Sequence, residues 1–458
     1  MSVSDFTPQQ RRTVILMVIA VIVVFAMLAG FIITSLQSWE SLSPAAPPSF
    51  VSPPPTPLAT PSPAPSLVSE DDIWSQVQAA RLFDQIAHQV ETLRGLSPRA
   101  EVPLSFLGER EMTTLLRQLY VERGPEVQLL PYTALGMLPD VSISIRAHQV
   151  AGVYVPEQEQ LYIATDRQES SADDQALLAH AYAHALQDQH FDLGAMDARA
   201  TTTDATLAVR ALVEGDAILL TALYRYEELA ATDWKHLAEL ILHAEQPGYG
   251  EELDRSEAWA RLQHFPYWEG RQFADALFQA GGWEAVNRAY TDLPRSTEQV
   301  LHPERYLEER DGLTSVVVPD VSIVLGEGWT MSLQDTLGEF VVGLYLDALL
   351  PEETAWQAAG GWDGDTFVVW EHEGGSQVLV WRTIWDSTAE AVEFERALVA
   401  LVLQRYLPAW PLDPPDGLPG LWWESDSGAV CVSRVARYVL FVDAPDVNTL
   451  ANIVEVLP

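Results

Sequence analysis

Hydrophobic residues recur at helical spacing through most of the chain up to about residue 310, and beyond it runs of strand spacing appear between helices. From Asp71 to Leu96 they fall at Ile73, Val77, Ala80, Phe83, Ile86, Ala87, Val90 and Leu93, one face of an amphipathic helix that Arg94-Gly95 stops. A second helix is predicted from Glu109 to Val121. Between Val150 and Ala164 the run VAGVYVPEQEQLYIA sets two short β-rich segments around a polar turn, which predicts a hairpin. Helices are predicted next near Ser171 to Gln189, from Asp204 to Leu229, and around Arg271 to Gln279 and Gly282 to Tyr290. Beyond Asp311 the pattern predicts helices over Leu337 to Leu350 and Thr388 to Tyr406. Paired strands are predicted over Thr366 to Glu371 and Gln377 to Trp385, and a hairpin joins Ala429 to Arg434 with Tyr438 to Val442. The fold class this implies is a mainly α domain with a small β-hairpin over residues 70–310, followed by a smaller α+β domain over 311–458.

The N-terminal 69 residues read differently. No charged residue occurs from Thr13 to Thr34, and at ~1.5 Å rise per residue that stretch is long enough to cross a ~30 Å hydrocarbon layer. It is expected to be a single transmembrane helix. Arg11 and Arg12 precede it and the next basic residue is Arg81, so residues 1–12 are expected in the cytoplasm and the bulk of the chain outside the cell membrane. Residues 35–69 are rich in proline, a composition that favours an extended stalk over a packed core.

Charge and composition narrow the partners. A net charge of -39, from 65 acidic against 26 basic residues, argues against nucleic acid. The single cysteine, Cys431, rules out an intramolecular disulfide framework and a thiolate metal cluster, and reads as a buried strand residue. The tryptophans Trp362, Trp370, Trp381, Trp385, Trp422 and Trp423 stand at strand spacing and read as core.

Chemistry concentrates in the run AHAYAHALQDQH, Ala179 to His190. Four residues turn a helix by ~400°, so His180 and His184 project from one face a turn apart and can offer two imidazoles to one metal ion. In helices that read His-Glu-x-x-His the glutamate is the general base of a zinc peptidase. Ala181 stands at that position here. Two residues compete as third ligand. His190 lies ten residues after His180, but a continuing helix turns it about 80° off the metal face, and Gln187 replaces the glycine that would break the helix. Glu214 is the better candidate, because it interrupts the apolar face of the run ALVEGDA with a carboxylate that calls for an interior partner.

The runs ALLAHAYAHALQDQHFDL, ARALVEGDA, FPYWEGRQFADALFQAGGW and LPRSTEQVLHPERYL together resemble bacterial zincin-like metallopeptidase homologues, in which the first motif commonly reads HELTHALQDQHFDL. The resemblance covers roughly Val90 to Trp385. It implies a zincin-like helical domain in which His180, His184 and Glu214 bind zinc, and it locates the missing general base at Ala181. It also implies an acidic partner four residues after the ligand glutamate, where this chain has Ile218; Asp216 lies two residues on instead. His302 and Tyr267 are candidate oxyanion-stabilising groups, weighed against a loop-bracing role for His302. For Glu298 the favoured reading is an ion pair with Arg295 or Arg305.

The functional expectation is a membrane-anchored pseudopeptidase that binds zinc and uses the old cleft to hold a peptide or protein partner. One alternative is an active zinc peptidase in which Asp174, Asp188 or a carboxylate of the α+β domain replaces the base. Another is a metal-free binding module at the cell surface.

Overall fold

The structure, a computed structural model, describes residues 70–122, 130–137, 150–165, 171–226, 233–245, 257–309, 312–415 and 417–457. Helix α1 (Glu70–Arg94) ends at Gly95, whose φ of 71° permits the left-handed stop. After strand β1 (Leu104–Leu107) and helix α2 (Glu109–Glu122), strands β2 (Gly152–Val155) and β3 (Gln160–Ala164) form the predicted hairpin, with Gly152 opposite Ile163 and Val155 opposite Gln160. Strand β1 adds to it in parallel, Leu104 beside Leu161, and completes a three-stranded mixed sheet.

Helix α3 (Ala172–Phe191) opens on a capping box: Ser171 Oγ accepts from the Asp174 amide, and the Asp174 carboxylate accepts from the Ser171 amide. Helices α4 (Thr203–Tyr226) and α5 (Trp234–Glu245) follow. Helix α6 (Glu257–Thr291) contains Pro266 and breaks at Gly281 and Gly282, where the second of the two helices predicted there begins. An apolar cluster gathers α3 residues Leu178, Ala181, Tyr182 and Leu186 with Phe83 of α1, Ile218 of α4, Ile241 of α5 and Tyr267 of α6.

The main elements beyond residue 312 are strand β4 (Trp329–Asp335), helix α7 (Gly338–Asp347), strands β5 (Trp362–His372) and β6 (Gln377–Trp385), helix α8 (Thr388–Arg405), strands β7 (Trp410–Leu412), β8 (Leu421–Ser425), β9 (Gly428–Val435) and β10 (Tyr438–Ala444), and helix α9 (Val447–Val456). The strands form one antiparallel sheet in the order β4-β5-β6-β10-β9-β8-β7. Because side chains alternate along a strand, each central strand sorts its residues between two cores. Phe367, Val369, Leu379, Trp381, Val439 and Phe441 face α8 residues Phe394, Leu398 and Leu401 in the larger core. Val368, Trp370, Val378, Val380, Leu440 and Val442 join Leu450 and Ile453 of α9 in another. Cys431 lies in this second core, fully buried as predicted, and burial pushes its thiol up to about 12.

The larger core does not stop at the sheet. It includes Leu207, Ala211 and Leu212 of α4 and Phe265, Phe273 and Leu277 of α6, together with Phe340 and Val341 of α7. This corrects the expected fold class. A mainly α domain with a lone hairpin and a smaller, separate α+β domain is replaced by one unit, Ser69–Pro458, in which helices pack on a seven-stranded antiparallel sheet. Runs that are apolar on both strand faces mean that layers cover both sides of the sheet, and here one of those layers continues into the N-terminal helices. The membrane part of the expected fold also receives no support. Among the described residues no helix is long and apolar enough to cross a membrane, and the stretch from Thr13 to Thr34 lies outside them, as do the expected tail and stalk.

Buried carboxylates stitch the layers together. Asp365 accepts from the amides of Leu337 and Gly338 and from the indoles of Trp362 and Trp381, at 3.0–3.1 Å, which fixes the start of α7 to the sheet. Asp204, in the first turn of α4, accepts from the amide and hydroxyl of Thr297 at 2.7 and 2.6 Å. Burial outweighs these hydrogen bonds and pushes Asp204 up to about 7 and Asp365 up to about 6.

Candidate metal centre

Helix geometry brings the two histidines together as predicted. His180 Nε2 and His184 Nε2 are 3.0 Å apart, with the rings at 89° to each other. Glu214, on the neighbouring helix α4, places Oε2 at 3.4 Å from His180 Nε2 and 3.5 Å from His184 Nε2. Ligand atoms held tetrahedrally at ~2.0–2.1 Å from a divalent ion are separated by ~3.3 Å, so these three atoms have the spacing of one coordination face. Two imidazole nitrogens and one carboxylate oxygen also suit such an ion chemically. His180, His184 and Glu214 can hold a metal.

The far nitrogens of both rings are occupied. Gln187 Oε1 lies 2.8 Å from His184 Nδ1, and the Gln187 amide nitrogen donates to Val213 O and Asp216 Oδ2, both at 3.0 Å. Thr221 Oγ1 donates to Ala217 O at 2.6 Å and stands 3.5 Å from His180 Nδ1. Asp216 is itself held: Arg94 Nε and Nη2 donate to its two oxygens at 2.9 and 3.0 Å, and the Tyr290 hydroxyl donates to Oδ2 at 2.7 Å. Burial, reinforced by the Asp216 charge, raises the Tyr290 hydroxyl well above its ordinary value and keeps it a donor. Arg94 also donates to Asn287 at 2.8 Å and lies 4.3 Å from the centre of the Trp283 ring.

His180 is 1% exposed, whereas the side chains of His184 and Glu214 keep 12% and 16% of their surface. Glu214 lines a groove of about 1160 Å³ together with Arg210, Val213, Asp188, His190 and Tyr154. Ala181 is 3% exposed and belongs to the apolar cluster around α3.

The other candidates fall outside the ligand set. His190 ends α3 in unbroken helix and binds Ser97 O at 2.8 Å. His302 binds Glu339 Oε1 at 3.0 Å, and that hydrogen bond is the main cause of its raised pKa. Tyr267 is buried on α6 in the cluster that holds Ala181. Glu298 pairs with Arg305 at 3.2 Å, as expected. Asp174 completes the capping box of α3, accepting from the Ser171 amide, and Asp188 accepts from the Tyr154 hydroxyl at 2.7 Å and from the Leu193 amide at 3.0 Å.

Sequence reasoning missed Gln187 and Arg94 as parts of the site and noticed Asp216 only as a misplaced acid. For Asp216 the available signal was the same one that found Glu214, an acid inside an otherwise apolar helix. No curated protein and no solved structure matches the chain. Residues 329–454 match a family model described as a domain of unknown function (DUF8575), a stretch that begins at the first residue of β4, ends in α9 and leaves α3 and α4 outside it.

Proposed function

We propose that this protein is a zinc-binding pseudopeptidase that holds a peptide or protein segment in the groove that Glu214 lines. The observation that carries the reading is the pairing of three converged ligand atoms with a methyl group at Ala181, where a peptidase helix has its general base. Two histidines and a glutamate match the ligand set of catalytic zinc sites, which leave the fourth position open. Bound there, zinc supplies a Lewis acid that polarises a carbonyl oxygen. His180 and His184 present Nε2 to the metal face, and Glu214 contributes the negative charge that offsets a dication. No carboxylate stands one residue after His180 to accept a proton from water. Asp174 and Asp188, the candidate substitutes, are committed to the α3 cap and to Tyr154 and Leu193.

Elemental analysis of the purified protein tests the metal, and casein hydrolysis with and without chelator tests the chemistry. Stoichiometric zinc in the wild type, lost in His180→Ala and Glu214→Ala, is expected, with no chelator-sensitive hydrolysis. Chelator-sensitive turnover overturns the pseudopeptidase reading, and absence of zinc after incubation with the metal overturns the site.

A further inference from the structure

We propose that Gln187 is a positioning residue of the metal centre, a carboxamide clamp that holds His184 with its proton on Nδ1 and thereby aims the Nε2 lone pair at the metal. The inference rests on the metal-binding reading above and gives its site a specific support.

The argument is one of donors and acceptors. A neutral imidazole has one N–H and one lone pair, and which nitrogen carries the proton is set by what the other atoms around the ring demand. A primary amide can turn by half a rotation and offer either N–H or oxygen, so Gln187 alone would leave His184 undetermined. Its orientation is decided elsewhere. The Gln187 nitrogen faces two acceptors, Val213 O and Asp216 Oδ2, each at 3.0 Å. The reversed amide would instead set its oxygen against a carbonyl and a carboxylate oxygen at 3.0 Å, acceptor against acceptor with no proton between them. The oxygen of Gln187 is therefore the atom at 2.8 Å from His184 Nδ1, and it can only accept.

Asp216 in turn is kept a carboxylate acceptor by three donors, Arg94 through two nitrogens and Tyr290 through its hydroxyl. The chain of control thus runs from a buried ion pair, through one amide, to the ring of a ligand. Gln187 is 2% exposed, so water does not substitute for it. A hydrogen-bonded partner behind a ligating imidazole typically supports 10–100-fold in metal affinity.

Two measurements on the full chain test the clamp separately from the metal. In the metal-free wild type, two-bond proton–nitrogen NMR spectra of the neutral ring are expected to show His184 protonated at Nδ1. A proton on Nε2 instead overturns the proposal whether or not zinc binds. Competition with a zinc-binding dye is expected to give Gln187→Met a dissociation constant about 10–100-fold above wild type. Equal affinity in wild type and Gln187→Met overturns the clamp while leaving the metal site standing, and failure of the wild type to bind zinc overturns the metal reading alone.

Discussion

Gly215 of α4 and Gly270 of α6 meet backbone to backbone: a Cβ on Gly215 would stand 2.0 Å from the Gly270 carbonyl oxygen, and a Cβ on Gly270 would stand 2.3 Å from that of Ala211. Gly215 follows the ligand Glu214 and precedes Asp216, so the closeness of this crossing sets where both carboxylates sit. Gly215→Ala must push the helices apart, because the obstructing atoms are backbone. The expected loss is about 1–3 kcal/mol or more in a urea titration, with zinc affinity falling in parallel. Unchanged stability would show that the crossing is looser than the structure has it.

Arg94 and Asp216 form an ion pair with side chains only 2% and 1% exposed. Arg94→Met strands the Asp216 charge in the interior, for an expected loss of about 3–5 kcal/mol. The double variant Arg94→Met with Asp216→Leu regains most of that stability but not the zinc affinity, since Gln187 loses the acceptor that orients it. Recovery of both properties in a denaturation and dye-competition series would disconnect the ion pair from the site.

Asp204 binds its proton more tightly in the folded chain than in the unfolded one, its pKa rising from 3.8 to about 7. The folded state therefore carries more protons between those values, and stability falls as pH rises through that window, by on the order of a few kcal/mol in all. Asp365 and Glu339 are the charges that add to the shift, after burial itself. Asp204→Asn keeps an oxygen for the Thr297 amide and hydroxyl and removes the titration. The slope of unfolding free energy between about pH 4 and 7 is expected to flatten in this variant relative to wild type; an identical slope refutes the assignment.

Ala181→Glu restores the side chain that a peptidase helix uses. Chelator-sensitive hydrolysis of casein is expected to rise by about 10²–10⁴ over the wild type, the usual contribution of a positioned base. The new side chain enters a packed cluster, so a stability loss of about 1–3 kcal/mol accompanies the gain. A folded, zinc-loaded variant without turnover would mean that the groove does not deliver a peptide bond to the metal.

Much of the local structure was legible. The spacing of His180 and His184 is a property of one helix, and Glu214 declared itself as an acid among Leu212, Val213 and Ala217. Strand β6 runs over Gln377–Trp385, the range its β-branched and aromatic run predicts. Less could be read where partners are distant. Arg94 is separated from Asp216 by 122 residues, and no periodicity links them. Strand β1 has four residues and pairs in parallel with β3 across the whole of α2, so neither its length nor its neighbours announce it. The single larger core was illegible for a related reason. Phe367 and Val368 are both apolar, and nothing local says that the first joins the core that extends into the N-terminal helices while the second joins that of α9.

That alternation also decides where the chain can change length. An insertion of one residue within β5 would send Phe367 and Trp370 to each other's side of the sheet and exchange the contents of two packed layers at once. Additions at the turn of residues 373–376 or at that of 426–427 leave the register of Val368 with Val380 and of Phe441 with Val432 untouched. Length changes are therefore expected to be tolerated at the tips of these hairpins and not within β5, whose register also sets the layer that α4 shares with the sheet.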